Sequence, residues 1–165
     1  MRLICCAAAV VCALLFGVEL CSRIKTRVRL LEDICIFSRE AMTAVQYRRL
    51  PPEQLAAENA DSRAEFLRLC AQHVAGGEGF RGAWEAAIAE STETNLLIPE
   101  EKRALIELGT GMGRSDTDGE VKRLEAALHR FTQLYEQARS ELTAKSKLYL
   151  SCSVLCGMAV VILIV

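Results

Sequence analysis

Residues 121–142 read VKRLEAALHRFTQLYEQARSEL, and a helical repeat runs through this stretch without interruption. The apolar or small positions are separated by alternating steps of three and four residues, and they are Val121, Leu124, Leu128, Phe131, Tyr135, Ala138 and Leu142. Side chains at this spacing share one face of an α-helix, because the helix has about 3.6 residues per turn. The stretch therefore predicts a helix about 33 Å long with one apolar stripe.

A second stripe with the same spacing lies near the amino terminus. It comprises Ile24, Val28, Leu31, Cys35, Ser38, Met42 and Val45. The stripe stops at Leu50-Pro51-Pro52, where proline disfavours helical backbone at the residue before it. Two helices of equal length, each with one apolar face, bury those faces by pairing antiparallel. We therefore predict a two-helix stem.

Each stripe adjoins an apolar segment at one end of the chain. All charged residues except Arg2 and Glu19 lie between Ser22 and Lys147. A membrane-spanning helix needs about 20 mostly apolar residues. We predict transmembrane helices over residues 1–21 and 148–165, with a helical domain over residues 22–147 between them. A cleaved signal peptide is the alternative for the first segment, although no Ala-x-Ala cleavage site follows its long apolar core.

The basic residues that flank these segments indicate their orientation. Positive charges follow the first segment and precede the second, at Arg23, Lys25, Arg27, Arg29, Lys145 and Lys147. Lysine and arginine favour the cytoplasmic side of a membrane. The pattern predicts that the middle domain is cytoplasmic and that both termini lie on the opposite side. Glu19 would then sit at the cytoplasmic interface beside Arg23, where its carboxylate reaches water.

Between the stem helices, residues 53–114 predict a smaller helical head. We expect three helices there: one within Pro52–Ala75, interrupted near Asn59–Ser62 and ending at Gly76-Gly77, one over Arg81–Glu90, and one from Pro99 to about Leu108. Proline and two glutamates at residues 99–101 suit the first turn of a helix. Together these elements predict an all-α antiparallel helical bundle with transmembrane helices at both ends. Trp84 is predicted to be a structural anchor in the core of the head.

The most distinctive local sequence is Leu108-Gly109-Thr110-Gly111-Met112-Gly113-Arg114-Ser115-Asp116. Glycines at alternate positions interrupt a helix and allow positive φ angles. Ser115, with Asp118 three residues later, has the form of a capping box that begins a helix. We predict a tight corner between two helices and take a partner-binding role as a hypothesis for Gly109, Gly111, Gly113, Arg114, Ser115 and Asp116.

The glycine-rich corner also invites comparison with phosphate-binding loops. Such a loop has a lysine followed by serine or threonine after its last glycine, and a strand before it. Here Arg114 follows Gly113, and the pattern before the corner is helical. A dinucleotide fingerprint would need glycine in place of Arg114. The pattern thus favours a structural corner over a nucleotide site.

No pattern in the chain indicates catalysis, a cofactor or a metal. His73 and His129 lie far apart without a motif, and no Cys-x-x-Cys pair occurs. Zinc sites depend on such closely spaced ligands. The formal net charge of −1 gives no basic field for nucleic acid. We predict a protein that is not an enzyme, binds no cofactor or metal, and does not bind nucleic acid.

The order of these features resembles the stage III sporulation protein AB family. The resemblance covers essentially the whole chain and is most specific from Leu108 to Leu124, together with Trp84 and the helix that follows it. Glu120 stands where the family pattern has a glutamine, and Ala41 to Leu55 departs from the turn expected there.

The resemblance implies a subunit of the channel-like complex that links mother cell and forespore in endospore-forming bacteria. It implies a place in the mother cell membrane and a cytoplasmic domain similar to the platform protein of type II secretion and type IV pilus systems. By analogy, the chain would dock or couple the cytoplasmic ATPase of the complex, stage III sporulation protein AA, and would contact other subunits and membrane lipid.

Two alternatives remain open from the residues alone. One is a stand-alone membrane-tethered enzyme or nucleotide-dependent regulator that uses the loop over residues 109–116. The other is a self-associating helical scaffold, a homo-oligomer in which the two stripes pair between chains.

Overall fold

The computed structural model describes the backbone of residues 2–114 and 116–164, and the side chains of Glu19 and of residues 22–114 and 116–145. This part of the chain is all-helical, which confirms the predicted fold class at that level. The elements are α1 (Arg2–Thr43), a π-helical turn (Ala44–Arg48), α2 (Pro52–Glu58), α3 (Glu65–Ala75), α4 (Phe80–Glu90), a 3₁₀ turn (Thr94–Leu96), α5 (Pro99–Gly111) and α6 (Thr117–Ile164).

The long helices α1 and α6 pack against each other and form the stem. Arg27 near the middle of α1 contacts Glu141 near the middle of α6, whereas Val45, just beyond the end of α1, and Glu120, near the start of α6, line one cavity. The two helices therefore run antiparallel, as the matched stripes predict. Both helices carry side chains with almost no exposure, among them Leu31, Ile34, Phe37, Leu124, Phe131 and Ala138.

The buried face of α1 is wider than its three-and-four repeat indicates. Leu30, Ile34 and Phe37 are almost fully buried although they lie off the predicted stripe, and the stripe residues Cys35 and Met42 are only partly buried. The reason is that α1 contacts the 3₁₀ turn of the head as well as α6. A helix covered from two sides needs an apolar arc broader than one seam.

Four short helices, α2 to α5, build the head where the sequence predicts three. The additional helix arises because the chain breaks at the predicted interruption near Asn59–Ser62. The Asn59 Nδ2 donates a hydrogen bond to the Leu55 carbonyl at 2.8 Å and closes α2. Helix α3 packs against both α2 and α4, and α4 packs against α5. One apolar core consequently runs from the stem into the head.

Helix α5 ends at Gly111, later than the end predicted near Leu108. Gly109 and Gly111 therefore lie within the helix and do not interrupt it. Tertiary packing overrides the low helix propensity of glycine here. The chain turns only at Met112, whose backbone is extended, and Gly113, whose φ is +75°.

Within the part that the structure describes, no helix combines the length and the hydropathy of a membrane crossing. The predicted spans over residues 1–21 and 148–165 fall on side chains outside the described residues, apart from Glu19. The exposed Glu19 carboxylate pairs with Arg23, with its Oε1 at 3.2 Å from Nε. The spans and the domain boundaries that depend on them remain predictions.

Candidate functional site

The candidate site is the corner that joins α5 to α6 at the end of the stem. Gly113 takes a left-handed conformation, with a φ of +75° that side chains with a Cβ rarely adopt. A Cβ at this position would also lie 3.2 Å from Pro52 Cγ, at the start of α2. Gly113 is therefore needed for both the turn and its close approach to α2.

Trp84 fixes the corner from inside the head. The indole is fully buried, and its Nε1 donates a hydrogen bond to the Leu105 carbonyl at 2.9 Å. Its ring centroid lies 5.3–5.5 Å from those of Phe37, Phe66 and Phe80. One of these aromatic residues belongs to the stem helix α1, so Trp84 connects stem and head.

Gly109 and Gly111 are held close to their neighbours within α5. A Cβ at Gly109 would overlap the indole of Trp84, and one at Gly111 would lie 2.9 Å from Arg123 Nη1. The same Nη1 donates a hydrogen bond to the Gly111 carbonyl, which lies at the last turn of α5. Because Trp84 and Arg123 fill the space beside these glycines, the structure forms no phosphate cradle at either position.

Arg114 and Asp116 are exposed at the surface of the corner, whereas Ser115 lies outside the described residues. Arg114 lines an open cavity of about 710 Å³ between the corner, the start of α2 and the start of α4. Two acidic and two basic residues line this cavity, and they are Glu53, Glu78, Arg81 and Arg114. The surface can therefore receive a protein segment that carries both charges.

A smaller cavity, of about 180 Å³, lies between the segment that follows α1, the start of α2 and the start of α6. Glu120 lines it, and this residue is only 4% exposed. Neither carboxylate oxygen has a hydrogen-bond partner, and the Arg123 Nη1 lies 3.8 Å from Oε2. A buried carboxylate without a hydrogen bond is costly.

Sequence reasoning did not single out Glu120 as a site residue. Glu120 lies four residues before Leu124 and therefore on the buried face of α6. This spacing is the sequence feature that could have indicated a buried carboxylate. The neighbours that enclose it come from the segment after α1, from α2 and from the corner, which the pattern of α6 alone does not reveal.

A second buried acid, Glu101, joins three helices. Its carboxylate accepts hydrogen bonds from Arg27 Nη2 at 2.6 Å and Nε at 2.9 Å, and from the Ile98 backbone N–H at 3.0 Å. Arg27 also donates to Glu141 on α6 at 3.3 Å. The hydrogen bonds to Glu101 raise the pKa of Arg27. The cluster connects α1, α5 and α6.

The remaining titratable residues do not form a reactive cluster in the described structure. No group of three or more histidine, cysteine, aspartate or glutamate residues there could hold a metal ion. Burial raises the pKa of the Cys70 thiol to about 12, which keeps it protonated at neutral pH. His73 lies between Glu90 and Glu78, and the hydrogen bond to Glu90 raises its pKa most.

An antiparallel helical stem that carries a four-helix head, with cavities at the junction, defines an all-helical stem-and-head protein. The family model for stage III sporulation protein AB matches residues 2–165. The chain therefore belongs to the stage III sporulation protein AB family and is a sporulation-related protein, which confirms the resemblance seen in the sequence. Searches of curated proteins and of solved structures gave no match.

Proposed function

We propose that the chain is a membrane-anchored, non-enzymatic subunit of the mother cell–forespore channel complex. In this role it is a platform that docks or couples the cytoplasmic ATPase of the complex, stage III sporulation protein AA. The observation that supports the proposal most is the continuity of the two stem helices with the apolar ends of the chain. Helix α1 has 42 residues and α6 has 48, which correspond to lengths of about 63 Å and about 72 Å.

This continuity suits a body that is fixed to a bilayer. Each helix passes from its apolar terminal segment into the packed stem without a break. Glu19 and Arg23 form an ion pair at the inner end of the first segment, where a charged pair fits the membrane interface. The apolar ends then anchor the chain in the mother cell membrane, and the middle domain faces the cytoplasm.

The connection between head and stem favours transmission of force. Trp84 and the cluster of Arg27 and Glu101 tie the head to α1, and the core is continuous between the two parts. Close-packed interiors deform little. Displacement of the head by a docked ATPase would therefore move the stem and the membrane segments with it.

The corner is the surface that best suits docking. Arg114 and Asp116 are exposed there, and the open cavity beside them carries charges of both signs. The corner lies about 45 Å along α6 from the start of the second apolar segment. A cytoplasmic partner reaches this end of the stem without meeting the bilayer.

The test measures binding of the purified ATPase to the full-length chain in detergent or nanodiscs. Arg114→Ala and Asp116→Ala should each weaken the affinity at least tenfold, because interface charges guide and orient a charged partner. Arg103→Ala and Asp61→Ala are matched controls, since both residues are exposed and lie away from the corner.

Unfolding temperatures of all variants accompany the binding data, so that loss of binding is separated from loss of fold. If the wild-type chain does not bind the ATPase, the platform proposal fails. If it binds and the corner variants bind equally well, the dock lies on another surface of the head.

A further inference from the structure

Glu120 is the side chain whose buried oxygens lack a hydrogen bond in the described part of the structure. It lies in the first turn of α6, where the helix N-terminus favours a negative charge. The nearest guanidinium, that of Arg123, lies 3.8 Å away and donates to the Gly111 carbonyl. The carboxylate thus keeps acceptor capacity that no described group of the chain fills.

The cavity beside Glu120 has the shape and lining of a side-chain pocket. Its volume of about 180 Å³ is about six times the share of one liquid water molecule. The walls are mainly apolar and come from Val45, Leu50, Pro51, Pro52, Leu55 and Met112. The Glu120 carboxylate lies at this apolar wall with its oxygens almost fully covered, so a long side chain with methylenes and a cationic end matches the pocket when the carboxylate turns towards the cavity.

A basic side chain fits this pocket better than a metal ion does. Calcium and magnesium need about six oxygen ligands, whereas the pocket offers one carboxylate. A guanidinium or ammonium group supplies the hydrogen-bond donors that Glu120 lacks, and its charge adds to that of Arg123, whose Nη1 lies 3.8 Å from Oε2. Burial strengthens this attraction, because the effective dielectric constant in the pocket is well below that of water.

Arg49, which also lines the pocket, adds a second requirement. Its backbone is left-handed, with a φ of 49°, which is uncommon for a residue other than glycine. The side chain is exposed and lines the same cavity. An entering cation meets this positive charge, and an acidic residue beside the cation on the partner would neutralise it.

We propose that the Glu120 pocket receives a lysine or arginine side chain from the docked protein partner, while an acidic neighbour of that residue pairs with Arg49. This assignment rests on the proposed platform role, which supplies the identity of the partner, the sporulation ATPase. The chemistry of the pocket is independent of that identity, and it is tested separately.

The first experiment uses Nα-acetyl-arginine amide as the probe of the pocket. The full-length chain in detergent micelles is labelled with carbon-13 at the methionine methyl groups, and Met112 lines the pocket. The probe should shift the Met112 signal saturably, with a dissociation constant on the order of millimolar. The uncharged citrulline analogue should leave the signal unchanged.

Variants show whether the carboxylate is responsible. Glu120→Gln preserves the shape of the side chain and should weaken probe binding at least fivefold. Glu125→Gln is the matched control, since Glu125 is an exposed glutamate on the same helix and should bind the probe like the wild type. The pocket assignment is overturned if the probe gives no saturable shift of the Met112 signal, or if Glu120→Gln shows the same shift as the wild type. Either outcome holds independently of the affinity for the ATPase.

The second experiment measures the affinity of the ATPase for the same variants. Glu120→Gln should weaken it at least tenfold, and Glu125→Gln should change it less than twofold. One basic residue of the ATPase should give the same loss when replaced by alanine, and the two changes should be non-additive. Unchanged affinity in Glu120→Gln overturns the pocket assignment and leaves the platform role intact, whereas absent binding by the wild type overturns the platform role.

Discussion

Gly109 has no room for a side chain, because the indole of Trp84 occupies the place where a Cβ would lie. Gly109→Ala should lower the free energy of unfolding by about 1–3 kcal/mol, the usual cost of overpacking a core. Gly82 provides the control, since it lies in α4 with nothing within 4 Å of its would-be Cβ. Gly82→Ala should raise the free energy of unfolding by about 0.5–1 kcal/mol, the helix preference for alanine.

Urea unfolding of the full-length chain in detergent measures both changes. Equal stability of Gly109→Ala and the wild type would show that Trp84 moves away without cost. The close approach of α5 to α4 would then not be a constraint on the corner.

Glu65 gives a prediction about pH. Its Oε2 accepts hydrogen bonds from the Thr92 hydroxyl and backbone N–H at 2.8 Å and from the Ser91 hydroxyl at 2.9 Å. These bonds, that of the Thr92 side chain above all, lower the pKa of Glu65 from its ordinary value of 4.5. A lowered pKa means that Glu65 contributes stability above that ordinary value and loses it as the pH falls through the lowered pKa.

The unfolding free energy of the wild type should consequently fall more steeply on acidification below about pH 4.5 than that of Glu65→Gln. Glu125→Gln removes an exposed carboxylate and should keep the wild-type slope. Parallel curves for the wild type and Glu65→Gln would show that the hydrogen bonds to Glu65 do not persist in solution.

The three glycines of the corner show what local sequence reveals at this scale. Their alternate spacing predicts a turn, and Gly113 does provide it with a positive φ. Gly109 and Gly111 have no room for a Cβ, because the side chains of Trp84 and Arg123 lie beside them. Both of these side chains come from other places in the chain. A spacing pattern contains no information about such tertiary neighbours, so it could not assign these two glycines to α5.

At the scale of helices, the cluster around Arg27 joins α1 to α5 and α6. Glu101→Gln would leave Arg27 without its main counter-charge, although the arginine side chain is only 11% exposed. Removing one partner of a buried ion pair costs about 3–5 kcal/mol. We expect a loss of that order in the free energy of unfolding, measured with urea.

Glu141 offers a control within the same cluster. Its side chain is 46% exposed and contacts Arg27 at 3.3 Å, so Glu141→Gln should cost no more than about 1 kcal/mol. A loss of no more than about 1 kcal/mol for Glu101→Gln as well would mean that Arg27 is hydrated well enough to tolerate either change.

The helical period predicted the stem and most breaks in the head. Both stripes lie on the packed faces of α1 and α6, and the interruption near Asn59–Ser62 separates α2 from α3. The width of the buried face of α1 was not predictable from its period. It depends on contacts with the head, and those contacts exist only after the chain has folded back on α1.

At the scale of the whole molecule, the basic residues flanking the apolar ends predict a topology. An alkaline phosphatase fused after Val165 should be active, because both termini are expected outside the cytoplasm. The same enzyme fused after Lys147 should be inactive, because that junction is expected in the cytoplasm. Activity only of the Lys147 fusion would reverse the proposed orientation.

The candidate site was partly predictable at this scale. Exposure of Arg114 and Asp116 follows from their place in a polar turn between two helices. The pocket around Glu120 was not predictable, since residues of the segment after α1 and of α2 form its walls together with the corner, which is distant from them in sequence. A site assembled from three elements depends on the relative placement of those elements, and single-helix periodicity does not supply it.

Trp84 is the one tryptophan of the chain, and its position gives the protein an intrinsic optical reporter. A fully buried indole surrounded by phenylalanine rings emits at shorter wavelength than one in water. Its emission therefore reports the integrity of the head without a dye. Since the same ring contacts Leu105 and the corner at Gly109, a change in its emission when a partner is added would be a direct spectroscopic sign that the corner has moved.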